Sequence, residues 1–166
     1  NFIGTTPQRN GPIDAWDEFW WRRRLRPQLD LAAEKGLAGP LANVHEKLEA
    51  ACGRLLAHDP RPALLHGDLW GGNHAYLDDG RPVIFDPASS FGDRETDLAM
   101  MRLFGGFDPR VFSAYDAASP LPEGHEHRVA IYQLYHVLNH LNLFGSGWLG
   151  RAETLLNRIF RSAGST

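Results

Sequence analysis

The stretch His66-Gly67-Asp68-Leu69-Trp70-Gly71-Gly72-Asn73, followed thirteen residues after Asn73 by Asp86 at the end of the apolar run Pro82–Phe85, decides how this sequence is read. A loop that sets Asp68 and Asn73 five positions apart can turn back and aim both side chains at one point, with Gly71 and Gly72 permitting the tight path. Short apolar runs at Ala63–Leu65, Ala75–Leu77 and Val83–Phe85 flank it, and Asp79-Gly80 between the last two predicts a β hairpin. That hairpin returns Asp86 alongside Asn73, because paired strands lie roughly 5 Å apart. Phosphoryl transfer needs this set: a carboxylate that orients and deprotonates an acceptor hydroxyl, and oxygen ligands that hold Mg²⁺ against the nucleotide phosphates. Asp68 is the candidate base, while Asn73 and Asp86 are the candidate metal and nucleotide-phosphate ligands. His66 belongs to the same catalytic motif, as an anchor of the loop rather than a proton carrier, since a carboxylate already fills the base role.

Outward from this β element the text turns helical. Asn1–Pro12, rich in Gly, Pro, Thr and Asn, reads as an extended loop. Asp14 is placed to cap a helix whose first turn holds Asp17 and Glu18 and whose apolar stripe is Trp16, Phe19 and Trp20. Pro27 is expected to interrupt it after Arg26, with Leu29–Lys35 continuing helically to Gly36. Leu41, Val44, Leu48, Cys52, Leu55 and Leu56 recur at helical spacing. Beyond a loop at Pro87–Arg94, helices are expected at Thr96–Phe104, Pro109–Ala117, about His127–Phe144 and Arg151–Arg161. The expected fold is α+β and mainly helical, a single domain over residues 1–166 whose small β hairpin carries the loop.

Composition narrows the classes. With 43% hydrophobic and 22% charged residues the chain can bury a core, which excludes disorder. A net charge of −3 argues against a nucleic-acid partner, which demands concentrated Lys and Arg. The one local excess, Arg22, Arg23, Arg24 and Arg26, reads as a solvated helix face. Cys52 stands alone, so no internal disulfide forms, and a reducing, cytoplasmic setting is expected. No apolar run approaches the roughly 18 residues of a membrane span.

Leu64 to Asn73, Pro82 to Ser89 with Gly92-Asp93-Arg94-Glu95, Phe104-Gly105-Gly106-Phe107, Arg26-Pro27-Gln28-Leu29, and Tyr132 to His136 through Leu138-Asn139-His140 together resemble the fructosamine kinase (ketosamine-3-kinase) family. The resemblance runs from Asn1 to about Phe160. It implies the C-terminal lobe of a protein-kinase-like phosphotransferase, ATP with Mg²⁺ as cofactors, and a small-molecule or protein-bound ketosamine phosphorylated on its sugar 3-hydroxyl, in deglycation. Carried over by position, Asp68 resembles the base, Asn73 and Asp86 the metal ligands, and Trp70 a substrate platform. Departing from the family, the sequence shows no phosphate-covering loop and no strand lysine; its two lysines, Lys35 and Lys47, fall in helical text. The expectation is a C-lobe without its nucleotide-binding N-terminal lobe, inactive alone and prone to self-association through an exposed cleft.

Other signals have competing readings. Gly145-Ser146-Gly147-Trp148-Leu149-Gly150 satisfies a nucleotide glycine pattern but follows a helix, so a helix end and interhelical turn is expected, able to line a sugar pocket. His136 and His140 share a helical face without the acid that a zinc pair needs; with Asn139 they form either a substrate-binding polar wall or plain packing. Asp97 or Thr96 is expected to cap the helix near Leu98, and Arg94 pairs with either a phosphate or an acid. Two rival functions remain: a kinase for another alcohol, such as an aminoglycoside or choline, and a non-catalytic binding module.

Overall fold

The computed structural model describes residues 1–165, with side chains through Gly164. The chain opens with a hairpin of β1 (Phe2–Ile3) and β2 (Thr6–Pro7) rather than the extended loop that its composition predicts. Gln8 pins this hairpin, donating to the Ala88 carbonyl at 3.0 Å and accepting from the Tyr135 hydroxyl at 2.8 Å. Helix α1 (Trp16–Trp20) begins after Ala15 with no side-chain cap, so Asp14 does not have the expected role, although Asp17 and Glu18 do occupy the first turn.

Pro27 does not break the helical path. The helix loosens into one π turn over Trp21–Leu25 and resumes as α2 (Arg26–Glu34), so that Pro27 sits in the first turn of the resumed helix. There its missing N–H removes no needed hydrogen bond, and its fixed φ suits the helix. Continuity matters for the core, because Trp20, Trp21, Leu25, Leu29 and Ala32 are thereby aligned and buried. A 3₁₀ turn at Gly39–Leu41 precedes α3 (His45–Leu55), which starts later than its apolar spacing predicts, though Leu41 is still buried.

The β element comes next: β3 (Ala63–Leu65), then β4 (His74–Tyr76) paired antiparallel with β5 (Pro82–Ile84), as the Asp79-Gly80 turn predicts. Ser90–Gly92, expected as loop, forms β6 and pairs antiparallel with β3. Helices α4 (Glu95–Phe104), α5 (Pro109–Ala118), α6 (His125–Phe144) and α7 (Leu149–Ser165) complete the chain. A 3₁₀ turn over Ser146–Trp148 joins the last two, so the glycine pattern there marks a helix end, as its position after a helix predicts. Helix α6 is the centre of the core, buried at Ala130, Ile131, Tyr132, Leu134, Tyr135, Val137, Leu138 and Leu141, with the polar Gln133, Asn139 and Asn142 buried beside them and hydrogen-bonded.

Polar contacts lock the elements around it. Asp93 accepts from the Tyr132 hydroxyl at 2.7 Å and from the Glu95 amide at 3.0 Å, and shares a 2.8 Å contact with His58. Glu95 receives both arms of the buried Arg128 guanidinium, at 2.7 and 2.8 Å. The three groups His58, Asp93 and Glu95 lie close enough to suggest a metal site, but their carboxylates are already committed to these donors. Arg94 pairs with no acid among the described residues; it donates to the Ser119 and Pro120 carbonyls and holds the α5–α6 connection. Among the described residues no helix is long and apolar enough to cross a membrane.

Candidate active site

Asp68 and Asn73 meet as their spacing requires. The buried Asn73 amide donates to the Asp68 carbonyl at 2.9 Å and to its carboxylate at 3.2 Å, and reaches the Asp86 carbonyl at 3.5 Å. A further bond, from the Phe85 amide to the Asn73 carbonyl at 3.1 Å, ties the loop to the strand that delivers Asp86. Asp86 is the one non-glycine residue with a positive φ, +57°, among those described. Aspartate tolerates that conformation better than most residues, and strain of this kind gathers at functional sites. Its exposed carboxylate accepts no hydrogen bond from the described residues and is left facing the cleft.

His66 is a positioning residue. Its Nε2 donates to the Phe85 carbonyl at 2.9 Å while its Nδ1 accepts from the Asp68 amide at 3.3 Å, so both ring nitrogens are committed to holding Asp68 against the Asp86 strand. These contacts make it an anchor of the loop. Beneath it, Asp97 accepts from the His66 and Gly67 amides, each at 2.8 Å. The expected helix cap at Asp97 is thus overturned; Thr96 donates to the Asp93 carbonyl, and Asp97 braces the loop. Gly67, at φ +81°, packs so tightly that a Cβ there would strike the Ala88 carbonyl.

The cleft measures about 410 Å³. Asp68, Asn73 and Asp86 form one wall; Trp70, Phe104, His140, Phe144 and Trp148 face them, and Ile3 and Gly4 of the first hairpin close one side. Phe104 is the hub of the aromatic wall, 6.2 Å from Trp70, 5.0 Å from His140 and 5.9 Å from Trp148 between ring centres. Burial pushes the Asp68 carboxyl above its usual range, opposed by the nearby His140 and by the Asn73 hydrogen bond. His140 gives its Nδ1 proton to the His136 carbonyl at 2.8 Å, which leaves Nε2 as the ring's open acceptor. Asn139, also in the lining, accepts from Gln28 at 3.2 Å through Oδ1, so its amide donors remain unclaimed.

His136 does not belong to this cleft. It is 4% exposed and faces a void of about 20 Å³ behind the loop, shared with Gln8, Arg24 and Asp97. Burial lowers its pKa to about 3, so it is neutral packing rather than a substrate contact. The cleft instead uses Phe104, Leu143, Phe144 and the first hairpin, none of which the sequence marked as site residues. Phe144 lies four positions after His140 on α6, and that spacing was the available signal.

A mainly helical α+β fold carrying this loop and hairpin is that of the kinase group of transferases. The fructosamine kinase family model matches residues 1–162. The chain is 47% identical to the "probable ketoamine kinase" of Vibrio cholerae over 96% of its own length and 54% of that protein's, and 45% identical to YniA of Escherichia coli over 96% and 54%. The crystal structure of a fructosamine-3-kinase homologue from Thermobifida fusca superposes with a TM-score of 0.85 at 39% identity, covering 99% of this chain and 56% of that one. Another, from Haemophilus somnus, gives 0.87 at 32%, covering 95% and 54%. The chain belongs to the fructosamine kinase family, and it spans about half the length of the curated relatives it matches.

Proposed function

We propose that these residues form the acceptor and metal side of an ATP-dependent ketosamine kinase that phosphorylates a sugar hydroxyl of fructosamines, free or protein-bound. The observation that carries this reading is the Asp68 carboxylate, fixed 3.2 Å from the Asn73 amide and opening onto an aromatic-walled cleft across from Asp86. Asp68 takes the hydroxyl proton, and its raised pKa suits a group that must accept one near neutral pH. Trp70 offers a ring face to the sugar, while the Asn139 amide and His140 Nε2 hydrogen-bond its hydroxyls. The aromatic wall keeps water from the reacting oxygens.

The donor set fits Mg²⁺. Asn73 engages its protein partners through its amide nitrogen, which leaves Oδ1 free, and the Asp86 carboxylate is unclaimed, so two hard oxygens face the cleft. Magnesium prefers one or two such ligands completed by substrate phosphates, and when bound there supplies charge neutralisation to the transferring phosphoryl group. Lys35 donates to the Asn142 carbonyl at 2.7 Å and Lys47 lies 4.1 Å from the centre of the Phe160 ring, so neither is available to grip a nucleotide. We read the nucleotide-binding lobe as lying outside these 166 residues, in keeping with relatives of about twice the length. A role in deglycation within a reducing cytoplasm accords with the free thiol of Cys52.

The test is phosphorylation of a fructosamine, beside an aminoglycoside and choline, by the full-length enzyme and its Asp68→Asn variant. Fructosamine should be preferred, and the variant should lose about 10²- to 10⁴-fold in turnover with an unchanged melting temperature. Near-normal turnover by the variant would sink the assignment.

A further inference from the structure

Of Arg22, Arg23, Arg24 and Arg26, only Arg22 and Arg26 form the solvated face that the run suggests; Arg23 is half-buried and Arg24 buried. With Arg9 they line a groove of about 670 Å³ between the first hairpin and the α1–α2 helix. We propose that this groove binds a small phosphate-bearing dianion, held by Arg9, Arg23 and Arg24.

Charge is the first argument. Arg22 is paired with Glu18 at 2.9 Å and Arg26 with Asp30 at 3.8 Å. Arg9, Arg23 and Arg24 have no carboxylate partner among the described residues, and Glu34 is the one acid left unpaired in the lining. Two positive charges thus remain uncancelled in a chain whose net charge is −3, so overall composition does not account for them.

Burial is the second. Arg24 is 3% exposed, and a buried guanidinium ordinarily sits on a carboxylate. Here its partners are all neutral: the Arg9 carbonyl at 2.7 Å, the Arg23 carbonyl at 3.1 Å, the Asn10 amide oxygen at 2.8 Å, and the ring faces of Phe19 and Tyr135 at 4.9 and 5.7 Å. The fold orients the cation and leaves its charge standing. Burial, with Arg23 beside it, pulls the Arg24 pKa down, which an anion would relieve. Arg23 meanwhile carries a buried Nε–H with no acceptor.

Backbone geometry is the third. Arg23 and Arg24 ride on the π turn Trp21–Leu25, a rare form that is frequent at functional sites. Guanidinium forks match phosphate oxygens two at a time, and a volume of this size takes a small organic phosphate. The catalytic cleft, by contrast, presents Asp68 and Asp86 with no Arg or Lys in its lining, so a free phosphate is not drawn there. This proposal therefore stands apart from the kinase reading.

The experiment is a titration of the isotopically labelled chain with inorganic phosphate and then pyrophosphate, near neutral pH and without metal, followed by backbone amide shifts. Saturable shifts should appear at Thr6–Arg9 and Arg22–Glu34, with pyrophosphate the tighter ligand. Replacing Arg9 and Arg23 together by Gln should weaken binding by about tenfold or more, the scale of one lost charge-assisted contact, without moving the melting temperature of the free chain. The control is a second basic hollow lined by Arg102, Arg151 and Arg158, where Arg102→Gln with Arg158→Gln should change nothing. Shifts centred on that hollow or on the cleft, or no saturation in the millimolar range, would overturn the proposal. If the Arg9 and Arg23 variant fails to fold, the shift map of the unaltered chain decides alone.

Discussion

Replacing Asp97 by Asn tests whether the loop bearing Asp68 is held from below. One carboxylate accepts two backbone amides, those of His66 and Gly67, each at 2.8 Å. Asparagine has a single oxygen, so one amide keeps its partner and the other meets an NH₂ group. Losing a charge-assisted bond costs about 1.5–3 kcal/mol, and stranding a buried donor about 1–3 kcal/mol. Part of this is offset, because burial pushes the Asp97 carboxyl above its usual range and the neutral amide escapes that penalty. A net loss of about 2–4 kcal/mol remains, which for a chain of this size lowers the melting temperature by about 5–15 °C. Thermal unfolding read by circular dichroism gives the first number, and hydrogen exchange at the His66 and Gly67 amides localises it. A variant that melts with the parent and keeps both amides protected would refute the brace.

Three further outcomes are expected. In Gly106→Ala a new Cβ would stand 2.7 Å from the Gly71 Cα at a φ of +93°, so the catalytic loop must shift; turnover should fall about 10²-fold with substrate KM little changed, and steady-state kinetics would show otherwise if the loop adapts. Trp70→Ala should raise KM for a fructosamine far more than KM for ATP, and a shift in the nucleotide KM instead would remove Trp70 from the acceptor pocket. Burial pushes the Asp93 carboxyl upward, but His58, the Glu95 amide and the Tyr132 hydroxyl outweigh it and hold it below the ordinary range. Its stabilisation is therefore present above the unfolded carboxylate value and lost as pH falls through the depressed folded value. The melting difference between parent and Asp93→Asn should be widest near neutrality and shrink only as pH falls below the ordinary carboxylate range; a gap independent of pH would contradict this.

What was legible in the sequence was local. The Asp79-Gly80 turn fixes the β4–β5 pairing, and the spacing of Asp68, Asn73 and Asp86 brings their convergence with it. What was hidden depends on distant partners. Strand β6 has three residues and takes its pairing from β3, so nothing in Ser90-Phe91-Gly92 alone distinguishes it from loop. Asp97 looks like a cap because the sequence near it begins a helix, and its acceptors' true donors lie 30 and 31 residues earlier. His136 and His140 share a face by helical period, yet the central burial of α6 sends one inward and the other into the cleft. Pro27 misleads for a different reason: a π turn, which no residue pattern announces, absorbs it.

The imidazole of His66, spanning the Phe85 carbonyl and the Asp68 amide, acts as a gauge block between the two acids of the cleft. With Asn73 stitched to both sides, the segments that carry the Asp68 and Asp86 carboxylates form one jaw, held at a gap spanned by the imidazole ring. The opposing jaw is assembled from α4, α6, the turn at Ser146–Trp148 and the first hairpin, with Trp70 reaching it from the loop to meet Phe104. Substitution at Phe144 or Trp148 can therefore resize the opening while the Asp68–Asn73 and His66–Phe85 bonds stay as they are.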